Sequence, residues 1–119
     1  MHNQSEQENA VESRMVLAKA VLNASNKLGL SLDELNEVIG VESDFTETGI
    51  EPETSQAEAS LVLITIYNKL FMLVGRNDAD VAHWMRTENE MTGGIPAEQI
   101  KEDSGLQRIS NILNGLVAH

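Results

Sequence analysis

Apolar residues recur at three- and four-residue steps through the first quarter of the chain, the spacing typical of one buried face of an α-helix. The pattern predicts a helix from about Glu8 to Leu28, which Gly29 ends. The segment Ser31-Leu32-Asp33-Glu34 then has capping-box spacing, in which each outer residue's side chain accepts a hydrogen bond from the other's free backbone amide. We therefore expect a short second helix from there to Gly40.

A third short helix is predicted from Ser43, after the turn at Gly40-Val41-Glu42. Two short helices joined by a glycine turn favour a helix-turn-helix motif. The segment 48–54 contains a glycine and a proline, which both interrupt helices, so we place a boundary there. The chain is thereby divided into 1–53, the helix-turn-helix part, and 54–119.

The second part opens with another capping-box pattern, from Ser55 to Glu58. From Ala59 to Val74, apolar residues cover most of the helix circumference, which indicates a central helix packed on several sides. An alternative is that part of the apolar surface of this helix forms a dimer contact. Polar residues interrupt the apolar run, which is also shorter than the roughly 20 residues that a membrane span requires.

Gly75 is expected to end the central helix, and Asn77 to cap a fourth helix that runs to Arg86. Its inward-facing residues are predicted to be Val81, Trp84 and Met85.

A polar loop follows as far as Ile95, and Pro96 suits the first position of a helix to about Asp103. Gly105 is expected to interrupt that helix, and a final helix then has a single apolar stripe. The predicted fold class is all-α, a helical bundle around the long central helix.

The 119 residues include no cysteine, and their few aromatic residues favour helix packing over a sheet. A chain without disulfides is typical of a reducing compartment, and residues 1–13 are polar and acidic, unlike a secretory signal. We therefore expect a cytoplasmic protein. Eight basic and nineteen acidic residues give a net charge of −11, which opposes binding to phosphate backbones and anionic lipids and favours a basic protein partner.

The charge around the predicted recognition helix also disfavours DNA binding. Residues 31–54 contain eight acidic residues and no lysine or arginine, although basic side chains usually neutralise phosphates and recognise guanine. The candidate DNA contacts are Ser43, Asp44, Glu47 and Thr48. Alternatively, the motif is a scaffold that packs, dimerises or supports the central helix.

The C-terminal half has a series of features in a fixed order: a long apolar helix ending near Gly75, a short helix closing on Trp84, Asn89 in a loop, Gly94 and Pro96, and a terminal amphipathic helix. In this order and spacing, about Leu61 to Leu116 resembles the C-terminal toxin-binding domain of Xre/MbcA/ParS antitoxins. Residues 16–52 are more weakly similar to the Xre-type helix-turn-helix that precedes this domain in many members.

The resemblance implies an antitoxin that binds a cognate RES-domain toxin, an NAD-degrading protein, and blocks its active site. A rigid helical body with an exposed loop and chain end suits that task, and it needs no catalytic group or cofactor. Trp84 is expected to hold the loop from within the core. The residues implied in toxin contact are Trp84, Arg86, Asn89, Met91, Gly94, Pro96, Arg108, Asn111, Asn114 and His119.

Other chemistry finds little support in the sequence. His2, His83 and His119 are scattered and lack the spacing of a metal site, and adjacent acids such as Asp33/Glu34 lie at caps and turns, where solvated carboxylates are common. We expect neither an enzyme nor a bound metal. The alternatives that stay open are a helix-turn-helix regulator of its own operon and an interaction module without a toxin. A homodimer, or a hetero-oligomer with the toxin, is expected.

Overall fold

Six α-helices build the computed structural model, which describes residues 3–42 and 44–117. They are α1 (Asn3–Lys27), α2 (Leu32–Ile39), α3 (Ser55–Leu73), α4 (Asp78–Arg86), α5 (Pro96–Gln99) and α6 (Gly105–Val117). No strand occurs within these residues, and an isolated backbone bridge joins Asn89 to Gly94. The predicted all-helical fold is confirmed.

The end of α1 and both ends of α2 follow the signals in the sequence. Gly29 and Gly40 both adopt left-handed backbone conformations, with φ of 80° and 78°, which residues with a Cβ atom rarely adopt. The capping box of α2 is complete: the Glu34 amide donates to Ser31 Oγ at 3.1 Å, and the Ser31 amide donates to Glu34 Oε1 at 2.9 Å. The α1 helix begins earlier than predicted, since no glycine or proline precedes Glu8.

The predicted third helix from Ser43 is wrong for the residues that the structure describes, among which Ser43 is not included. Asp44 Oδ1 instead accepts hydrogen bonds from the amide and hydroxyl of Thr46, at 2.9 and 2.6 Å. A short polar side chain that bonds nearby backbone in this way competes with helix formation. Gly49 then turns with φ of 81°, at a point where a Cβ atom would lie 2.7 Å from Cβ of Arg14. The recognition helix of the predicted motif is therefore not formed by 44–54.

The central helix α3 begins at a different cap from the one predicted. Thr54 is the N-cap, with Oγ1 accepting from the Ala57 amide at 3.1 Å, so the Ser55–Glu58 capping box is wrong. Ser55 already lies within the helix, whereas Thr54 has the extended backbone that an N-cap requires.

One hydrophobic core surrounds α3 and joins both predicted parts of the chain. Its residues Leu63, Ile66 and Leu70 are fully buried, and burial of each side chain contributes about 1.5–3 kcal/mol. Helices from before and after the predicted boundary pack against it, α1 and α2 from one part and α4 and α6 from the other.

The α4 helix matches its prediction: Asn77 Oδ1 caps it by accepting from the Asp80 amide at 3.1 Å, and Val81 and Met85 are fully buried. Pro96 begins α5, but that helix ends at Gln99, shorter than predicted. Gly105 is the first residue of α6 and does not lie in the interruption, which falls instead at Ser104, with φ of 61°.

Among the described helices, none alone has the length and apolar content to cross a bilayer. The pair α3 and α4 together has the length and composition of a membrane span, but the two helices meet at a bend of 112°.

Candidate functional site

The loop between α4 and α5 is held closed by Asn89. Its side-chain Oδ1 accepts hydrogen bonds from the backbone amides of Met91 and Thr92 at 2.8 and 3.3 Å. The backbone amide of Asn89 donates to the Gly94 carbonyl at 2.8 Å. Gly93 turns the chain with φ of 80°. An asparagine followed by glycines thus performs the turn-forming role that these residue types commonly have. The Met91 side chain, within this turn, is 61 % exposed.

Thr92, at the base of this turn, is attached to both following helices through its carbonyl oxygen. That oxygen accepts from Gln99 Nε2 at 2.7 Å and from Arg108 Nη1 and Nη2 at 3.1 and 3.0 Å. The close approach of Gln99 also explains Gly94, because a Cβ atom there would lie 3.0 Å from Gln99 Nε2. Arg108, which the resemblance implied in toxin contact, thus holds the loop in place.

Gln99 is a site residue that the sequence analysis missed. Its side chain is buried, and its amide oxygen has no hydrogen-bond partner among the described residues. Gln99 lies in the short helix predicted from Pro96 to about Asp103, where a single glutamine has no distinctive spacing, so its hydrogen-bond partner is identified by the folded backbone.

A groove of about 430 Å³ lies beside the loop, between the end of α3 and α4. Trp84 lines it while packing partly against the core, so the tryptophan is neither fully internal nor fully exposed. Two carboxylates, Asp80 and Glu88, also line the groove. The remaining lining residues are Leu73, Val74, His83, Thr87 and Asn89.

The outer face of α6 supplies a second concave surface, of about 480 Å³, lined by Arg108 and Asn111 together with Ser104, Gln107 and Ile112. Gln107 Nε2 donates to Asn111 Oδ1 at 3.0 Å. Asn114 is exposed further along the same helix, and His119 lies outside the described residues. Since Arg108 both lines this surface and bonds Thr92, the surface adjoins the loop.

Pro96 and Arg86 contribute to the architecture around the loop. Pro96 is buried at the start of α5. Arg86 Nη1 and Nη2 lie 3.0 and 2.6 Å from the two carboxylate oxygens of Glu34, and Lys101 Nζ lies 2.9 Å from Glu34 Oε2. The hydrogen bonds from Arg86 and the Ser31 amide hold the pKa of Glu34 far below its usual value. The same carboxylate raises the pKa of Arg86 and of Lys101.

The residues predicted to contact DNA do not form a basic surface. Asp44, Glu47 and Thr48 are exposed in the turn after α2, and the hydrogen bonds from Thr46 lower the pKa of Asp44, which favours its charged form. Arg14, which lines a groove together with Glu47 and Thr48, is paired with Glu51 at 3.1 Å. Within the described part of the chain, no group of three or more potential metal ligands is brought together.

Comparison with known families identifies the segment from which the loop and both grooves are built. Residues 69–116 match the family model described as the antitoxin Xre/MbcA/ParS C-terminal toxin-binding domain. The match runs from within α3 through most of α6, so the predicted resemblance of this half is confirmed. No curated protein sequence matches the chain.

Proposed function

We propose that this chain, whose residues 69–116 form an antitoxin Xre/MbcA/ParS C-terminal toxin-binding domain, neutralises a RES-like, NAD-degrading toxin by covering its active site. The observation that supports this proposal best is the turn at 89–94. It is anchored to α5 and α6 through Thr92 and leaves Met91 projecting into solvent. A rigid base beneath an exposed apolar side chain lowers the entropy lost on binding.

The proposed contact surface has three parts. Met91 is an apolar anchor at the tip of the turn, and methionine adapts readily to irregular partner surfaces. Trp84 and Asn89 offer the groove beside α4, whereas Asn111 and Asn114 offer polar groups along α6. In this proposal Arg86, Gly94, Pro96 and Arg108 act mainly by shaping the surface, since each is engaged by or packed against the chain itself.

Charge supports a basic partner. The chain has a net charge of −11, and Asp80 and Glu88 line the groove beside Trp84. A toxin that binds an anionic dinucleotide has an electropositive site, and complementary charge speeds association and disfavours wrong partners. We therefore expect the toxin surface around its active site to present lysine or arginine to this groove.

The test is co-expression of the tagged full-length chain with the product of the adjacent reading frame. We expect a stable complex, normal growth and preserved cellular NAD, whereas the partner expressed alone should deplete NAD. A wild-type chain that captures no partner, or a complex in which NAD still falls, would contradict the proposal.

Direct repression of its own operon is the second candidate function. It is supported by the weak sequence similarity of 16–52 to Xre-type motifs, but 44–54 lacks a recognition helix, and 31–54 lacks basic residues. We propose that the chain alone does not bind operator DNA. A mobility-shift assay with its own promoter at low salt should detect no specific complex, and nanomolar specific binding would overturn this.

We also propose that the chain acts in the cytoplasm, without a cofactor, and forms a dimer through α1 and α3. Val16 and Leu61 are 60 % and 56 % exposed and line a shared groove of about 540 Å³, outside the matched toxin-binding segment. Glu12 and Lys19 lie on either side of Val16 on α1. If two copies of α1 pack antiparallel at Val16, each glutamate faces the other copy's lysine, which favours self-association.

A further inference from the structure

Glu34 contacts two cations that flank the loop at opposite ends. Arg86 is the last residue of α4, just before the loop, and Lys101 lies just after α5, the short helix that follows the loop. The Glu34 carboxylate accepts two hydrogen bonds from the Arg86 guanidinium and lies 2.9 Å from Lys101 Nζ. A single side chain from α2, outside the matched segment 69–116, therefore holds both ends of 87–100.

The geometry of this cluster favours a stronger interaction than that of an ordinary surface ion pair. Arg86 binds both carboxylate oxygens, the paired arrangement that gives Arg–carboxylate contacts their strength and direction. Arg86 Nη2 also donates to the Gly29 carbonyl at 2.7 Å. The side chains of Glu34 and Lys101 are only 18 % and 20 % exposed, so water and salt screen their attraction less than on an open surface.

The capping box alone does not explain this arrangement. Capping α2 requires only that one side-chain oxygen accept from the Ser31 amide, which Glu34 Oε1 does at 2.9 Å, and a neutral glutamine can do the same. The cap requires neither the negative charge nor the second oxygen, Oε2, which accepts from Arg86 Nη1 and lies 2.9 Å from Lys101 Nζ, while the capping oxygen Oε1 also accepts from Arg86 Nη2. Position 34 therefore has two separable roles, one within α2 and one towards the loop.

We propose that Glu34 is a positioning residue for the toxin-binding loop, through which the N-terminal part of the chain sets the shape of the C-terminal binding surface. The consequence for toxin affinity rests on the proposed function, whereas the ordering of the loop does not. The α1–α2 part thereby has a role in this chain that requires no DNA.

Hydrogen exchange on the isolated full-length chain tests the ordering directly. In Glu34→Gln, which keeps the capping oxygen, amides of 87–100 should exchange about tenfold faster, while those of α1 and α3 stay unchanged. Glu37→Gln on the same helix is the matched control and should match wild type. Unchanged exchange in 87–100, or an equal increase throughout the chain, would overturn the proposal, because a general loss of stability is not local.

Lys101→Gln supplies a second variant that leaves the capping box intact. It should also raise exchange in 87–100, and the double variant Glu34→Gln/Lys101→Gln should raise exchange above wild type by less than the sum of the two single effects, since both act on one cluster. Additive effects would contradict a shared clamp. This variant also decides the question if Glu34→Gln does not fold.

Binding to the adjacent-frame product then connects the loop to function. We expect Glu34→Gln to bind about tenfold more weakly than wild type and Glu37→Gln to bind normally. Equal affinities for the two variants, with a loosened loop in one, would remove Glu34 from toxin recognition. A wild-type chain that binds no partner while Glu34→Gln still loosens the loop would refute the proposed function and leave the clamp intact.

Discussion

The side-chain amide nitrogen of Gln99 lies 2.7 Å from the carbonyl oxygen of Thr92 and donates a hydrogen bond to it within the protein interior. This contact fastens the exposed turn to α5, and Arg108 fastens the same oxygen to α6. The candidate binding surface is therefore formed by a turn whose base is fixed from two directions.

Replacing Gln99 with alanine should lower the free energy of unfolding by about 2 kcal/mol, because a buried hydrogen bond is lost and a void remains. Chemical denaturation monitored by circular dichroism measures this. Gln107→Ala, at an exposed position of α6, is the control and should change stability by less than about 0.5 kcal/mol. Equal effects of the two substitutions would mean that the Thr92 contact contributes nothing.

Gly105 and Gly115 lie in the same helix and should respond oppositely to alanine. A Cβ atom at Gly105 would lie 1.8 Å from the Gln99 carbonyl oxygen, whereas in the described part of the chain nothing beyond the neighbouring residues and the backbone of α6 itself lies within 4 Å of one at Gly115. We expect Gly105→Ala to destabilise by about 2–3 kcal/mol. Gly115→Ala should stabilise by about 0.5–1 kcal/mol, since alanine favours an exposed helical position. Thermal melting of both variants tests the prediction, which a stable Gly105→Ala would refute.

Met91→Asp should weaken binding to the adjacent-frame product about tenfold without changing the melting temperature, because the side chain is exposed and has no role in the core. Leu32→Asp is the matched control: it also places an acid at an exposed apolar position, but on α2. Calorimetric titration measures both affinities. If Met91→Asp binds as tightly as the control, the tip of the turn lies outside the interface.

Val16→Glu should convert the expected dimer into a monomer, because it replaces an apolar residue that lines the α1–α3 groove with a charged one. Val11→Glu, on the same helix but lining a different groove, should leave the dimer intact. Light scattering after size-exclusion chromatography gives the masses. A monomeric wild-type chain, or a dimer that persists in Val16→Glu, would assign the exposed valine no role in self-association.

Acid should weaken the fold partly through Glu34. The pKa of this carboxyl is lowered in the folded chain from its ordinary 4.5, so its contribution is fully present above that value and is lost as the pH falls further. The difference in unfolding free energy between wild type and Glu34→Gln should therefore shrink between pH 7 and strongly acidic pH. Denaturation curves across that range test this, with Glu37→Gln expected to follow wild type. A difference in unfolding free energy that stays constant with pH would mean that the effect of Glu34 on stability does not depend on its charge.

Several features of the fold are local, and the sequence predicts them correctly. The complete capping box at Ser31, the left-handed glycines at 29 and 40, the Asn77 cap and the proline start of α5 each depend on residues within a few positions of one another. Two of the local failures have local causes as well. Asp44 captures Thr46 in a turn where a helix was expected, and Thr54 caps α3 one residue before the predicted serine.

Helical periodicity and cap residues act over short stretches of chain, so the sequence alone was enough to predict the all-helical class, the order of the six observed helices and the resemblance of 69–116 to a known family, but it also predicted a helix that 44–54 does not form. The contact of Glu34 with Arg86, 52 positions later, and the sharing of the Thr92 carbonyl by Gln99 and Arg108 became visible in the folded chain. Such pairs depend on how whole helices pack around α3, and side-chain hydrogen bonds follow from that packing. The packing of the helices in the hydrophobic core fixes their positions, and in those positions the charged groups lie close together around the loop.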